Sequence, residues 1–352
     1  MKYLFKILIL LFGTLSFSQE LIFENLFDSS LSSEIACYRI PSIITSTNGT
    51  LIAAIDERNN SCGDLKWNKN INIVLRKSYD DGKTWTKIER IIDYPIGESA
   101  SDPSMIVDRQ TKDIFLFYNY MNLDKGKDIY RFMVIKSNDN GESWSSPKDI
   151  TDQITKKEWK NDFMFITSGR GIQSEDGILL HCLVNLNKGT HVFGSNDHGK
   201  NWFLIDYPLK PGDESKIIEL SNGDWLVNSR VNSNKFRYSH ISKDKGKSWL
   251  SFENKDLSDP ACNASIINYN ISSEKLLLFS NAFDSNERKN LSLSISYDQG
   301  MSWKNNKTIY KGSSAYSSMT KLKNGDVGLF FEKDNYTKNV FVRIPKKWII
   351  KN

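Results

Sequence analysis

The chain has 352 residues, 25% of them charged, and a formal net charge of +5. That length suits one large all-β domain or two ordinary ones. Basic and acidic residues are interspersed without a basic stripe, which argues against a nucleic-acid partner. The 4 cysteines lack a Cys-x-x-Cys spacing and the 4 histidines are scattered. We therefore expect no disulfide scaffold, metal site, cofactor or Ser-His-Asp triad.

The amino terminus, MKYLFKILILLFGTLSFSQE, combines two lysines with an apolar run over 7–12. This pattern predicts a signal peptide over residues 1–18, and the run is too short to span a bilayer. We expect 19–352 to form a single domain, exported to the periplasm or the medium as a monomer without a membrane span. In an oxidising compartment Cys37 and Cys62 are either disulfide-bonded or buried free thiols.

One motif, Ser-x-Asp-x-Gly-x-x-Trp, recurs through the chain. Its five copies are SYDDGKTW (78–85), SNDNGESW (137–144), SNDHGKNW (195–202), SKDKGKSW (242–249) and SYDQGMSW (296–303). A chance match is worth roughly one in 10⁵ per position, so five matches indicate an internal repeat. Asp can bond backbone amides two residues on, and Gly accepts a positive φ, so each copy predicts a hairpin turn rather than a metal or ligand site.

A second series of turns alternates with the first. Each of the six lies between two apolar runs: Asn48-Gly49, Thr111-Lys112, Asp176-Gly177, Asn222-Gly223, Ser273-Glu274 and Asn324-Gly325. Together the two series predict an all-β six-bladed β-propeller with four-stranded antiparallel blades of about 56 residues. The last strand, KNVFVRIP, is expected to help close the ring.

In this scheme the starts of the first strands, the ends of the second strands and the loops after them share one face around the axis. The residues predicted there are Arg39, Arg58, Asp64, Asp102, Glu214, Arg230, Arg288, Tyr316 and Glu332. Several guanidiniums on one axis repel each other unless an anion joins them, and Arg grips a carboxylate bidentately. The face therefore predicts a ligand with a carboxylate. An acid (Asp64) and a Tyr–Glu pair indicate glycosidic chemistry.

From Tyr38 to Pro345 the chain resembles the exo-α-sialidases (neuraminidases) of glycoside hydrolase family 33. YRIPSII is similar to the family's Phe/Tyr-Arg-Ile-Pro motif, and the five repeats resemble its structural Asp-boxes. ERNNSCGDLKWN, DESKIIELSNGDWLVNSR, ERKNLSLSISYDQG and SAYSSMTKLKNGDVGLFFE resemble the segments that carry the remaining site residues. Non-enzymatic propellers also carry Asp-boxes, whereas the other motifs together are specific.

The resemblance implies release of terminal sialic acid from sialylated glycans through a tyrosyl intermediate. It implies Tyr316 as nucleophile, Glu214 as its base and Asp64 as acid/base. Its carboxylate clamp is Arg39, Arg230 and Arg288, with Glu332 orienting Arg39. Arg58 and Asp102 would face the 4-hydroxyl and N-acetyl region, although an Asx turn before Pro103 also explains Asp102. Transfer to another sugar, intramolecular transfer and a non-catalytic binding module are the alternatives.

Overall fold

A computed structural model describes residues 20–126, 129–271 and 273–350, so the predicted signal peptide (1–18) lies outside the described residues. Within them the chain is all-β, with small antiparallel sheets following one another. The short helices are α1 (Thr151–Ile154), α2 (Lys346–Ile350) and 3₁₀ turns at Ser29–Leu31, Leu65–Trp67 and Lys157–Trp159. In this part of the chain no helix has the length and apolar character needed to cross a membrane.

The strands form five hydrogen-bonded sheets in the described residues. The first contains β2 (Ile35–Thr45), β3 (Leu51–Asn59), β4 (Ile71–Ser78) and β5 (Glu89–Ile92). The second contains β6 (Glu98–Val107), β7 (Ile114–Asn122), β8 (Arg131–Ser137), β9 (Lys148–Asp149) and β11 (Gly169–Arg170), which runs parallel to β6. The third contains β10 (Met164–Ile166), β12 (Ile172–Gln173), β13 (Leu179–Asn185), β14 (Gly189–Ser195) and β15 (Phe203–Leu209).

The fourth sheet contains β16 (Ser215–Glu219), β17 (Trp225–Ser229), β18 (Phe236–Ser242) and β19 (Leu250–Ser258). The fifth contains β1 (Phe23–Asp28), β20 (Ser265–Ile271), β21 (Glu274–Ala282), β22 (Lys289–Ser296), β23 (Lys304–Lys321), β24 (Val327–Lys333) and β25 (Lys338–Ile344). Its strand order is β1-β25-β24-β23-β22-β21-β20, so the first strand of the chain lies beside the last.

The fifth sheet departs from the predicted pattern of separate four-stranded blades. Strand β23 has 18 residues. Its first half, to Ser313, pairs with β22, and its second half, from Ser314, pairs with β24. One long strand therefore joins two four-stranded groups into a seven-stranded sheet. The segment KNVFVRIP includes β25, which pairs with both β24 and the unpredicted strand β1.

Apolar clusters lie between successive sheets and close them into a propeller-like ring. One cluster joins the first and second sheets through residues such as Ile52 and Leu116. Others follow between each next pair of sheets. The ring closes where Phe341 of β25 packs with Ile43 and Ala53 of the first sheet. The core is thus distributed between sheets, and the first strands of the units surround a common axis.

The five Ser-x-Asp turns share one set of hydrogen bonds. In the first, the Gly82 amide donates to Ser78 Oγ (2.9 Å) and the Thr84 amide donates to Asp80 Oδ1 (2.9 Å). Gly82 has φ +81°, and a Cβ there would lie 2.2 Å from Phe341 Cε1. The other four turns repeat both the serine and the aspartate bonds. These residues shape hairpins and pack neighbouring sheets together.

Candidate active site

Three arginines surround one buried tyrosine at the predicted face. Arg230 Nη1 donates to the Tyr316 hydroxyl at 3.0 Å. The Cζ atoms of Arg39 and Arg288 lie 5.6 and 5.4 Å from the centroid of the Tyr316 ring. The structure therefore brings together four residues that are widely separated in the chain. We call the group formed by the Tyr316 phenol and these three guanidiniums the cationic pocket.

Glu332 anchors both the clamp and the tyrosine. Its Oε1 accepts from Arg39 Nε (2.6 Å) and from the Ile40 amide (2.9 Å), while its Oε2 accepts from the Tyr316 amide (3.0 Å). Ile40 has φ +69°, a strained value for a β-branched residue, and its bond to Glu332 holds it there. Burial acts to lower the pKa of Arg39, but the Glu332 charge outweighs it and the pKa is raised.

Arg230 forms a hydrogen-bonded bridge between Glu214 and the Tyr316 phenol. Arg230 Nη1 donates to Glu214 Oε2 at 2.6 Å as well as to the Tyr316 hydroxyl, so the carboxylate and the phenol are neighbours across one nitrogen. Glu214 directly precedes β16 and Arg230 directly follows β17, and these two strands pair antiparallel. Burial first, and the Glu214 charge second, raise the pKa of Tyr316 well above its ordinary value.

Arg288 and the unpredicted residue Tyr336 complete this side. Arg288 Nη2 donates to the Ala261 carbonyl (3.0 Å) and its Nη1 donates to the Tyr336 hydroxyl (3.3 Å). The guanidinium of Arg39 lies 4.0 Å from the centroid of the Tyr336 ring. Tyr336 follows β24 in the loop position that carries Asp64 and Arg288 in other units, whereas Arg58, predicted in such a loop, lies within β3. The same positional rule would have identified Tyr336.

The opposite side of the pocket is built around Arg58, which is fully buried. Its Nη1 donates to Asp64 Oδ1 (2.6 Å) and its Nη2 donates to Asp56 Oδ2 (3.0 Å). Burial acts to raise the pKa of Asp64, but Arg58, then Arg39 and Arg288, outweigh it and lower that pKa. A Cys37–Cys62 disulfide ties the loop before Asp64 to β2. Of the two alternatives for these cysteines, the structure contains the disulfide.

Asp102 lies in β6 beside this group. Its amide donates to Asp56 Oδ1 (2.9 Å) and its carboxylate accepts from Asn119 Nδ2 (2.9 Å). The alternative of an Asx turn before Pro103 is wrong, because the carboxylate is engaged across the sheet and Asp102 has φ +64°. Burial, then the Asp56 charge, raise the pKa of Asp102.

Asp56 was missed by the sequence reasoning. It joins Arg58 to the Asp102 amide and to the Ser101 hydroxyl, which donates to it at 2.6 Å. The only sign of it in the sequence is that a charged residue, Asp56, directly follows the apolar residues of β3.

No group of three or more His, Cys, Asp or Glu side chains suited to a metal ion occurs in the described ranges. The carboxylates Glu332, Asp64 and Glu214 are paired with arginines, namely Arg39, Arg58 and Arg230.

A model of the BNR repeat-like domain matches residues 49–329. The chain belongs to the BNR repeat-like domain family. It is 29% identical over 349 residues to a sialidase of Bacteroides fragilis, covering 90% of this chain and 63% of that protein. It is 32% identical over 327 residues to a sialidase of Micromonospora viridifaciens, covering 84% and 50%. The chain thus spans less than two thirds of the length of these relatives.

Solved structures include a similar fold. The Hadza microbial sialidase Hz136 superposes with a TM-score of 0.81 at 26% identity, covering 88% of this chain and 66% of that one. The predicted resemblance to exo-α-sialidases of propeller fold is therefore confirmed.

Proposed function

We propose that the protein is an exo-α-sialidase that hydrolyses terminal α-ketosidically linked sialic acids of glycoproteins, glycolipids and oligosaccharides. The observation that carries the proposal is the convergence of Arg39, Arg230 and Arg288 on the ring and hydroxyl of Tyr316. Three guanidiniums in a partly desolvated pocket favour an anionic ligand, and a planar carboxylate fits their forked donors. Sialic acid carries such a carboxylate on its anomeric carbon.

Tyr316 is the proposed nucleophile. A carboxylate nucleophile would approach an anomeric carbon that itself bears a carboxylate, at a cost of roughly 1 to 4 kcal/mol at 4 Å depending on the effective dielectric. A neutral phenol avoids this repulsion, and a tyrosine nucleophile is a recognised exception to two-carboxylate glycosidases. The raised pKa keeps Tyr316 neutral until a base takes its proton.

Glu214 is the proposed base. Its carboxylate and the phenol oxygen share Arg230 Nη1 at 2.6 and 3.0 Å, so a small shift of either side chain brings the proton within reach. As the proton moves to Glu214, the phenolate oxygen forms the bond to the anomeric carbon. Arg230 and Arg288, which oppose the rise in the Tyr316 pKa, stabilise the developing negative charge.

Asp64 is the proposed acid/base on the other side. It would protonate the leaving glycosidic oxygen and then take a proton from the water that hydrolyses the sialyl–tyrosine bond, which retains the configuration. Arg58, bonded to Asp64 at 2.6 Å, and the nearby Asp102 would face the 4-hydroxyl and N-acetyl region of the sugar. Glu332 holds Arg39 and the Tyr316 amide in register.

The test is release of a fluorogenic aglycone from an α-sialoside by wild type and by Tyr316→Phe. Sialidase activity predicts release by the wild type and near-complete loss in the variant. Absence of release by the wild type would favour a binding module. Mass analysis of the product distinguishes free sialic acid from an anhydro sugar or a transfer product.

We also make a proposal about the number of propeller blades and about where the protein is located. We read the seven-stranded sheet as two blades that share β23, which gives six blades, and the five repeated turns as Asp-boxes. We also propose that residues 1–18 direct export to the periplasm or the medium and that 19–352 form the propeller domain. The Cys37–Cys62 disulfide supports an oxidising compartment.

A further inference from the structure

A large cavity lies at the opposite end of the axis from the candidate active site. It has a volume of about 980 Å³ and is lined by the ends of β2, β6, β16, β20 and β23 and by the turns that follow them. Its cationic residues are Arg109, Arg170, Lys275, Lys321 and Lys323, and its carboxylates are Glu175 and Glu219. We call it the distal cavity.

The distal cavity is separate from the catalytic pocket. Arg39 and the cavity residue Thr45 lie on the same strand, six residues apart, or roughly 20 Å at the usual rise per residue. Between the two ends, the buried side chain of Lys216 donates to the Ser168 carbonyl (2.7 Å) and to Asn263 Oδ1 (2.8 Å). The hydrogen-bonded Lys216 side chain therefore lies between the candidate active site and the distal cavity.

The cations that line the distal cavity outnumber its carboxylates by five to two. Within the described residues, none of its five cations forms an ion pair. Of its two carboxylates, Glu219 already accepts from the Glu175 amide (2.6 Å) and lies 3.5 Å from Lys245 Nζ. The active site shows the contrary arrangement, in which Arg39, Arg58 and Arg230 each have a carboxylate within 2.6 Å.

Arg170 is the innermost of these cations. Its Nη1 donates to the Met319 carbonyl (3.0 Å) and its Nε to the Gly171 carbonyl (3.5 Å), so its contacts are with neutral acceptors. Burial lowers the pKa of Arg170 to about 10, because no carboxylate in the described part of the chain offsets the desolvation. Around it, the exposed side chains of Lys275, Lys321 and Lys323 form a cationic rim. A guanidinium at the base and ammoniums at the rim suit an oxyanion with several negative charges.

We propose that the distal cavity binds a small multivalent oxyanion of the phosphate class, with Arg170 as its anchor and Lys321 and Lys323 at its rim. The proposal stands independently of the sialidase activity. Free phosphate anions and phosphate esters share the required chemistry and differ in source, one being a soluble anion and the other a group on a sugar.

The test is isothermal titration of the full chain with inorganic pyrophosphate and, in a parallel arm, with N-acetylglucosamine 6-phosphate. We expect Arg170→Gln to weaken binding of at least one probe by tenfold or more, while Lys255→Gln on the outer surface leaves it unchanged. The probe that binds more tightly identifies the source of the anion. Unchanged binding in Arg170→Gln, or no binding of either probe to the wild type at millimolar concentration, overturns the proposal.

Two further variants keep the test decisive. Arg288→Lys reports on anions held in the catalytic pocket, so a probe that is weakened by Arg288→Lys and not by Arg170→Gln binds there and contradicts the proposal. Should Arg170→Gln fail to fold, the double variant Lys321→Gln, Lys323→Gln alters only exposed side chains. Binding must then fall about fivefold or more in the double variant, and unchanged binding counts against the distal cavity.

Discussion

The two sides of the candidate active site are built differently. On the nucleophile side, Tyr316 is buried and its backbone is bonded to Glu332, which also holds Arg39. On the acid side, the Asp64 side chain is 68% exposed and its carboxylate is held by Arg58. The first side is fixed before substrate arrives, whereas the second side carries a group whose environment the substrate can change.

This difference has a chemical consequence. Burial acts to raise the pKa of Asp64, but Arg58, Arg39 and Arg288 outweigh it and lower that pKa, which is unfavourable for the proposed role of proton donor. A bound carboxylate would neutralise part of the charge of Arg39 and Arg288 and so raise that pKa. Binding of the substrate would thus raise the pKa of Asp64 toward the range suited to a proton donor.

Loss of the nucleophile should give the largest effect. Tyr316→Phe removes one hydroxyl from a rigid site, so we expect turnover of a fluorogenic α-sialoside to fall by at least ~10³-fold. The circular dichroism spectrum should match that of the wild type. A rate within tenfold of the wild type would show that Tyr316 is not the nucleophile.

Loss of the acid should depend on the leaving group. Asp64→Asn should slow hydrolysis of sialyl-lactose by about 10²- to 10³-fold, because its alkoxide leaves poorly without a proton. An aryl sialoside, whose phenolate leaves readily, should lose much less. Equal losses on the two substrates would contradict the role of Asp64 as an acid.

Loss of the Glu332 carboxylate should act mainly on the stability of the fold. Glu332→Gln leaves the guanidinium of Arg39 without its buried partner, so we expect a loss of about 3 kcal/mol in the free energy of unfolding, measured with urea. The matched control is Glu287→Gln, whose carboxylate is 69% exposed and pairs with Lys289. It should change stability by less than about 1 kcal/mol. Similar losses in both variants would remove the special role of Glu332.

A smaller change should follow at the clamp. Arg288→Lys keeps the charge and loses the forked donor, so we expect KM to rise by about tenfold with little change in stability. Among the residues that the structure describes, Arg288 is hydrogen-bonded only to the neutral groups of Ala261 and Tyr336, and an ammonium can replace these bonds in part. An unaltered KM would indicate that Arg39 and Arg230 suffice for the carboxylate.

The sequence predicted the parts of the site that recur by position. The alternating turns placed Arg39, Arg230 and Tyr316 on one face, and the structure brings these three together. The same rule, applied to the loop after β24, would have included Tyr336. Repeats are informative because a residue's place in its unit determines the end of the axis at which it lies.

Other features depend on pairing between distant strands and carry little local signal. The fusion of two groups through β23 and the pairing of β1 with β25 are of this kind. The bridging role of Arg230 Nη1, between Glu214 and Tyr316, depends on side-chain placement that no spacing specifies. Asp56 was hidden because a buried charge in a strand becomes meaningful only when its partners are known.

The smallest expected effect concerns acid stability. The pKa of Asp64 is below its ordinary value of 3.8 in the folded protein, so its ionisation favours folding above that value. The advantage of the wild type over Asp64→Asn should therefore be present at pH 6. It should disappear as pH falls below about 4 through the folded pKa. Because Asp64 is largely exposed, we expect a difference below about 1 kcal/mol, measured by urea unfolding at several pH values.

Asp102 supplies a control of opposite sign. Burial and the Asp56 charge raise its pKa, so Asp102 keeps its proton to a higher pH in the folded state than in the unfolded state. The stability of the wild type relative to Asp102→Asn should therefore decline as pH rises above about 4, where Asp64 contributes most. If both variants followed the same pH trend, the trend would reflect overall charge rather than these two carboxyl groups. Opposite trends would show that the folded protein lowers the pKa of the exposed Asp64 and raises the pKa of the buried Asp102.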